Sequence, residues 1–420
     1  MDRRLENLTR AQLIVLIIFT AAGQFSISIT HISGFLACAL WFYKCYLTRT
    51  WKNLNWPLWI PFAAYALACI LAVATALDPL RSFEHLKRLF EMGIFFIILN
   101  SLSDPYLQTG LRSLVASLRN TWSGRWIPLN VGTGWTPRNF FVGLIVLSAT
   151  VSAVVGITQV AVDGLSIHHR ISGTLSIYMT YAGLLMQVAL VTAAYLLFRN
   201  GKSKWAWTAL ATLLAALVLT LTRQAWLGFG AGLMILLAYR KPILISLLPI
   251  LATMIFWLSP GPIQERMKSL VNLEDVTLQE RVDMWRLGWA IYKDYPVSGC
   301  GFHCLLRVRT DYPEHKELLR SYRTLHNNVV QLAVDAGTVG VTAWLLLWLS
   351  YLRRVFRLSL GRDTPDRGET PDRWVVLASF STVIAFLTGG LFETNFYDSE
   401  VVMLAYYLMA LPFISSQSRI

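Results

Sequence analysis

The strongest candidate for proton-transfer chemistry is a histidine at the border between a polar and an apolar segment. His326 is followed by Asn327, Asn328 and a run of apolar residues. This pattern predicts an apolar helix with the imidazole in its first turn. The partial positive charge of a helix N-terminus disfavours imidazolium, so a neutral imidazole that accepts a proton near pH 7 is expected there. A polar cap at a membrane surface is the alternative explanation.

Three arginines occur at positions where a cation is costly. Arg170 lies in a short loop, Arg223 interrupts two apolar stretches, and Arg281 lies at the edge of an apolar helical stripe. That stripe comprises Leu278, Val282, Trp285, Trp289 and Tyr292. An arginine at the mouth of membrane spans is unfavourable unless it reaches lipid phosphate or has an anionic partner. Guanidinium groups bind phosphate oxygens in a forked geometry, so a cluster of them favours a diphosphate-bearing lipid.

Metal and nucleotide motifs are weak in this sequence. The stretch Cys300-Gly-Phe-His303-Cys304 contains soft metal ligands but lacks a second ligand pair at zinc-site spacing. The sequence has neither a Gly-Lys-Ser/Thr phosphate loop nor an Asp-x-Asp motif. We therefore expect no metal, no nucleotide and no other cofactor.

The elements that must position these residues are membrane helices. The chain has 420 residues, of which 55% are hydrophobic and 15% charged. Its apolar runs repeatedly approach the roughly 20 residues that span a bilayer. The net charge of +13 does not indicate nucleic acid, because the basic residues cluster between apolar runs. The composition predicts an all-α, polytopic membrane protein in contact with membrane lipid.

We predict about twelve transmembrane helices. Residues 11–47 are too long for one span, so they divide into two helices with a turn at Gly23-Gln24. The other spans are 57–77, 89–102, 140–162, 177–198, 205–221, 225–239, 242–258, 328–352, 374–392 and 400–415. The predicted domains are 1–258 with helices 1–9, a periplasmic loop domain with short helices at 259–326, and 327–420 with helices 10–12.

The basic residues predict the orientation of these spans. With the N-terminus inside, the inner segments hold 22 Lys and Arg residues and the short outer segments hold 5. Short loops rich in Lys and Arg stay cytoplasmic, so both termini are expected in the cytoplasm. His326 and the three arginines then share the outer side.

Five short motifs, in this order, resemble the O-antigen ligase family and its polymerase relatives. They are Arg-Ile-Ser-Gly-Thr at 170–174, Thr-Arg-Gln-Ala-Trp at 222–226, Glu-Arg-x3-Trp at 280–285, Tyr-Pro-Val-Ser-Gly-Cys-Gly-Phe at 295–302 and His-Asn-Asn at 326–328. The family often has Ser-Arg-Gly where this chain has Thr222-Arg223-Gln224.

The resemblance implies a glycosyltransferase of the GT-C type in the bacterial inner membrane, with its active site facing the periplasm. The implied reaction transfers O-antigen from undecaprenyl diphosphate to lipid A-core oligosaccharide, with inversion at the anomeric carbon. His326 would be the general base, while Arg223 and Arg281 would stabilise the diphosphate leaving group. The implied substrate-binding residues are Arg170, Asn327 and Asn328.

Three other functions remain open at this point. An O-antigen or exopolysaccharide polymerase and a protein O-oligosaccharyltransferase would use the same kind of lipid-linked donor. A transporter of lipid-linked glycans should show polar residues at mid-membrane and pseudo-symmetric halves. In this chain the notable charges gather at one face instead.

Overall fold

The computed structural model describes residues 3–121, 136–166, 169–270, 272, 274–315, 322–362 and 372–414. Across these ranges the chain is all-α, as predicted, and contains no β-strand. The helices are α1 (Arg3–Ala22), α2 (Ile27–Thr48), α3 (Trp59–Ala74), α4 (Pro79–Phe83), α5 (Lys87–Leu102), α6 (Pro105–Thr121), α7 (Pro137–Asp163), α8 (Tyr178–Phe198), α9 (Lys204–Leu219), α10 (Arg223–Arg240), α11 (Leu247–Leu258), α12 (Gly261–Lys268), α13 (Val276–Asp294), α14 (Asn328–Ser359), α15 (Arg373–Gly389) and α16 (Ser399–Ala410).

Every predicted span corresponds to a helix, and residues 11–47 divide between α1 and α2 as expected. Within the described ranges, four helices are long and apolar enough to cross a bilayer, namely α1, α7, α8 and α14. The apolar helices α3 and α9 have 16 residues each. At about 1.5 Å per residue, such a helix is roughly 24 Å long, which is shorter than a hydrocarbon core of about 30 Å. The number of twelve spans therefore stays a prediction.

The core of the bundle is formed where α10 packs between α8 and α15. Gly228 and Gly232 lie one helical turn apart on α10. A Cβ at Gly228 would lie 2.6 Å from Ala385 O, and a Cβ at Gly232 would lie 2.8 Å from Ser381 O. Only glycine permits this approach of the α10 and α15 backbones, as at other small-residue interfaces of membrane helices. Arg223, the first residue of α10, is thereby fixed at the end of a rigid core helix.

Helix α14 is broken within its first third, which the sequence did not predict. Gly337 has φ 62° and ψ −163°, outside the helical range. Carbonyl groups before the break have no N–H partner within the helix. Backbone N–H groups of the 295–302 motif bond to them instead. The backbone N–H groups of Cys300 and Gly301 donate to the carbonyls of Val334 and Asp335 at 2.9 and 3.1 Å. The motif is therefore a structural insert that holds the first part of α14 in place.

The insert and α13 form a second, smaller core. Its buried residues include Met284, Leu287 and Ile291 of α13, together with Leu325 and Val334. Trp289, on the predicted apolar stripe of α13, is 60% exposed and is not part of this core. A disulfide joins Cys300 and Cys304 next to this core. Those two sulfur atoms are thus bonded to each other and are not free metal ligands.

Candidate active site

His326 lies against a carboxylate from a distant part of the chain. Its Nδ1 atom is 2.9 Å from Glu393 Oε1 and 3.1 Å from Oε2. The His326 side chain is 15% exposed and that of Glu393 is 13% exposed, so solvent and substrate can reach the pair. A carboxylate on one ring nitrogen fixes the orientation of an imidazole and leaves Nε2 as the proton acceptor. The pair has the arrangement of a general base and its orienting group.

The position of His326 in the chain differs from the prediction. Helix α14 begins at Asn328 and its N-cap is Asn327, whose side chain accepts hydrogen bonds from the backbone N–H groups of Val329 and Val330. His326 therefore precedes the cap, with φ 46° in the left-handed region. A non-glycine residue is disfavoured there, and such strain is often found at functional sites. Asparagine is a strong N-cap, which explains why the helix starts after the imidazole.

Asn327 and Asn328 form hydrogen bonds with other residues of the protein. Asn327 donates from its amide to Leu391 O at 2.9 Å. Asn328 donates to Asn395 Oδ1 at 2.7 Å and accepts from Phe396 N–H at 3.1 Å, and it is 2% exposed. These contacts join the start of α14 to the loop that carries Glu393. The asparagines thus fix the distance between the imidazole and the carboxylate.

The same loop is held from its other side by Arg88 of α5. Its guanidinium donates to Phe396 O at 2.7 Å and Tyr397 O at 3.0 Å, and lies 4.2 Å from the centroid of the Tyr397 ring. Glu91, one turn further along α5, accepts from Ser399 Oγ at 2.5 Å. Buried charge-assisted hydrogen bonds of this kind are stronger than neutral ones. They make the Glu393 loop a rigid support.

Arg281 lies on α13, and the residues on either side of Arg281 hold this helix beside the His326–Glu393 pair. Tyr322 donates its hydroxyl to Glu280 Oε2 at 2.7 Å, and Trp285 Nε1 donates to Leu325 O at 3.1 Å. These two bonds dock the segment that leads to His326 onto α13. Burial and the Glu280 carboxylate raise the pKa of Tyr322 to about 12, so its hydroxyl remains a donor. The Glu-Arg-x3-Trp motif thus combines two docking residues with one arginine.

Arg281 itself has no hydrogen bond or ion pair to any described residue, and it is only partly exposed. Burial lowers the pKa of its guanidinium, Arg223 lowers it further, and Glu393 and Asp275 act in the opposite direction. A half-buried cation is unfavourable without an anion. Arg281 is therefore the arginine of the predicted set best placed to receive an anionic ligand.

Arg223 is 6% exposed and its guanidinium is occupied by protein groups. Nη1 donates to Ser269 O at 2.7 Å and Ser269 Oγ at 3.0 Å. Nη2 donates to Asp275 Oδ1 at 3.1 Å and to the Thr277 hydroxyl. Burial raises the pKa of Asp275, but the Thr277 hydroxyl and Arg223 together hold it below its usual range. Arg223 therefore anchors the segment between α12 and α13 to the core of the bundle.

Two further arginines complete a cationic cluster. Arg170 lies with its guanidinium 4.6 Å from the centroid of the Tyr178 ring. Arg266 of α12 is 8% exposed and donates from Nε to Leu221 O at 3.1 Å. Burial, with Arg223 and Arg170 nearby, lowers the pKa of Arg266 to about 10. Arg266 bonds to Leu221, two residues before Arg223, so these two arginines lie in the same region and contribute to a positive field suited to a phosphate-rich ligand.

Sequence reasoning missed Arg266 and did not pair Glu393 with His326. Arg266 follows the buried Ile263 by one turn of a short helix. That pattern is common in any amphipathic helix and carries no functional signal. Glu393 is separated from His326 by 67 residues, and only the tertiary contact reveals the pair.

One protein-family model matches the part of the chain that carries most of this site. Residues 208–345 match the family model described as O-antigen ligase. This O-antigen ligase segment runs from α9 to the middle of α14, and it includes Arg223, Arg266, Arg281 and His326. The match confirms the resemblance that the motifs predicted. No curated protein matches the chain.

The match to this family model also indicates the broad character of the protein. Together with the apolar helices, it indicates a membrane protein. The family indicates a membrane enzyme of the glycosyltransferase kind, with lipid-linked glycan and lipid as partners. Arg170 and Glu393 lie outside the matched residues, so their place in the site rests on the structure alone.

Proposed function

We propose that this protein transfers O-antigen polysaccharide from undecaprenyl diphosphate to lipid A-core oligosaccharide at the periplasmic face of the bacterial inner membrane. The observation that carries the proposal is the pairing of His326, which lies in the segment that matches the O-antigen ligase model, with Glu393 beside the arginine cluster. A base and a set of cations are the two parts that glycosyl transfer from a lipid diphosphate needs.

The base acts on the acceptor sugar. Nε2 of His326 takes the proton of the acceptor hydroxyl as its oxygen attacks the anomeric carbon of the donor. Nδ1–H donates to Glu393, whose carboxylate stabilises the imidazolium that forms. The bond between the anomeric carbon and the phosphate oxygen breaks as the new glycosidic bond forms, so the anomeric centre inverts. The proton is then released from His326 to solvent.

The cations act on the leaving group. The electron pair of the breaking bond goes to the terminal phosphate oxygen of undecaprenyl diphosphate, where negative charge builds up. Arg281 is the principal group that neutralises it, because its guanidinium forms no ion pair with a described residue. Arg266 and Arg170 add to the positive field. Arg223 contributes by holding Asp275 and thereby the start of α13, from which Arg281 projects.

The asparagines take a positioning role in this scheme rather than direct contact with sugar. Asn328 is buried and both ends of its amide are bonded to the protein. Asn327 caps α14 and retains partial exposure, so its amide is the one that a sugar hydroxyl would reach. Together they hold the Glu393 loop against His326.

The orientation and architecture extend the proposal. We infer a GT-C-type fold with about twelve spans and both termini in the cytoplasm, supported by the distribution of Lys and Arg. Residues 259–326 then form a periplasmic loop domain between helices 1–9 and helices 10–12. The disulfide between Cys300 and Cys304 fits an oxidising compartment such as the periplasm.

One reconstitution distinguishes the ligase from its relatives. The purified protein is placed in liposomes with undecaprenyl-diphosphate glycan, and either lipid A-core or a second portion of lipid-linked glycan is offered as the acceptor. The proposal predicts a lipid A-core product, formed in EDTA and without nucleotide. Elongated lipid-linked glycan as the sole product would show a polymerase instead, and a requirement for a divalent ion would contradict the proposed use of cationic side chains.

A further inference from the structure

A cavity lies at the end of the bundle opposite His326. Its volume is about 590 Å³, and it lies among the end of α2, the turn before α3, the end of α5 and the start of α6. Arg88, in the first turn of α5, contacts the Glu393 loop, and α5 ends at Leu102, next to the lining residue Ser103. Helix α3 likewise ends near Cys300, where Leu77 N–H donates to Cys300 O at 3.0 Å. The cavity is thus separated from the candidate active site by the length of these helices.

The wall of this cavity carries a buried cation and several hydrogen-bonding groups. Lys44 is 5% exposed and forms an ion pair with Asp104, which also lines the cavity. Thr48 and Thr50 contribute hydroxyl groups that lie 2.9 Å apart. Lys52 lines the same cavity from an exposed position. Asp104 neutralises the charge of Lys44, so the net positive charge of the cavity lining comes from Lys52.

An aromatic cluster lies beside the cavity. Trp41 lines the cavity, and its ring centroid is 6.4 Å from that of Trp51 and 6.3 Å from that of Trp56. Trp51 and Trp56 are each 42% exposed, and Trp59 at the start of α3 is 59% exposed. Exposed tryptophans at helix ends mark the interface between a bilayer and water. A cavity that carries polar side chains and lies beside such a belt suits a molecule with a charged head and an apolar body.

We propose that this cavity binds the head group of an anionic glycerophospholipid. The phosphate would lie at the side of the cavity that carries Lys44, Lys52 and the two threonine hydroxyls, and the acyl chains would cross Trp51 and Trp56 into the bilayer. Basic pockets between membrane helices bind acidic head groups elsewhere by this chemistry. A soluble phosphate would share the head-group contacts but gain nothing from the neighbouring tryptophans. Lipid binding at this site does not depend on the transfer reaction proposed above.

Native mass spectrometry of the full chain in neutral detergent tests this directly. The protein is titrated with phosphatidylglycerol or phosphatidylcholine of the same acyl chains, and with glycerol 3-phosphate as the soluble probe. Phosphatidylglycerol should bind roughly fivefold more tightly than phosphatidylcholine, given about one charge of differential attraction near the membrane surface. It should also bind more tightly than glycerol 3-phosphate, because the soluble probe lacks the acyl chains. Equal binding of both lipids, or binding of glycerol 3-phosphate as tight as phosphatidylglycerol, would overturn the proposal.

Three variants locate the site. Lys52→Glu should weaken phosphatidylglycerol binding by roughly tenfold or more, since it removes one positive charge and adds a negative one. Thr50→Trp should abolish the preference by filling the cavity. Lys202→Glu is the matched control, because Lys202 is exposed in the loop between α8 and α9 and does not line the cavity. Unchanged phosphatidylglycerol affinity in both Lys52→Glu and Thr50→Trp, in proteins with wild-type melting temperatures, would also overturn the proposal.

Discussion

Replacing Glu393 tests whether its carboxylate supports His326 as the general base. The Glu393 carboxylate accepts from His326 Nδ1 at 2.9 and 3.1 Å and from the Thr394 N–H at 3.0 Å. A hydrogen bond to a charged group contributes about 1.5 to 3 kcal/mol, which corresponds to a roughly ten- to hundredfold change in rate. Glu393→Ala should fall near the upper end of that range. Glu393→Gln keeps an oxygen acceptor and the volume, so its loss should be near tenfold.

The assay is the initial rate of glycan transfer in liposomes at saturating lipid-linked donor, with donor binding measured separately. The loss should appear in kcat, because Glu393 stabilises the imidazolium that forms during the reaction. Glu84→Gln is the control, since Glu84 is exposed and not part of the pair. Wild-type rates in both Glu393 variants would refute the orienting role. A loss confined to donor affinity would mean that Glu393 acts in donor binding instead.

Three other predictions follow from the contacts. Arg281→Lys should retain only part of the transfer rate, and Arg281→Ala should lose roughly ten- to hundredfold. The loss should appear mainly in the binding and consumption of the lipid-linked donor. A defect seen only with the acceptor would contradict this role. Asp275→Asn should lower the melting temperature at neutral pH. Because the pKa of Asp275 is lowered in the folded protein, the ionised carboxylate stabilises the fold, and this contribution is lost when the carboxylate is protonated. The difference in melting temperature from wild type should therefore close as pH falls below about 4. A difference independent of pH would dismiss its ion pair with Arg223. Gly337→Ala should cost at least about 1 to 2 kcal/mol of unfolding free energy, because alanine is strained at φ 62°, whereas Gly230→Ala, in open space on α10, should cost nothing.

The helices themselves were predictable because length and polarity leave few choices. Residues 11–47 contain too many apolar residues for one span, and a single helix would have reversed every later loop. The structure shows two helices there, with a turn after Ala22. Four helices meet the length and polarity expected of a span, and the number of twelve spans awaits a topology measurement.

Three features of the site could not be derived from the sequence. A glycine inside an apolar run is usually tolerated within a helix, so Gly337 gave no sign of the break in α14. The break is stable only because the 295–302 insert bonds to the freed carbonyls. The His326–Glu393 pair and the burial of Arg266 also depend on contacts between distant segments, which local patterns do not encode.

The start of α14 shows a smaller failure of the same kind. Three polar residues precede the apolar run, and each could have been the cap. The structure selects Asn327, because its amide also bonds to Leu391 O. His326 is thereby moved out of the helix and turned toward Glu393. The residue was identified correctly as a candidate, but its backbone conformation was not.

The most direct test of the account is the transfer rate of His326→Ala in the reconstituted system with undecaprenyl-diphosphate glycan and lipid A-core. His326 is partly exposed and lies before the helix cap, so the variant should fold and bind donor as the wild type does. The account predicts that it forms no detectable lipid A-core product. Transfer by His326→Ala at a rate near that of the wild type would contradict the assignment of His326 as the general base.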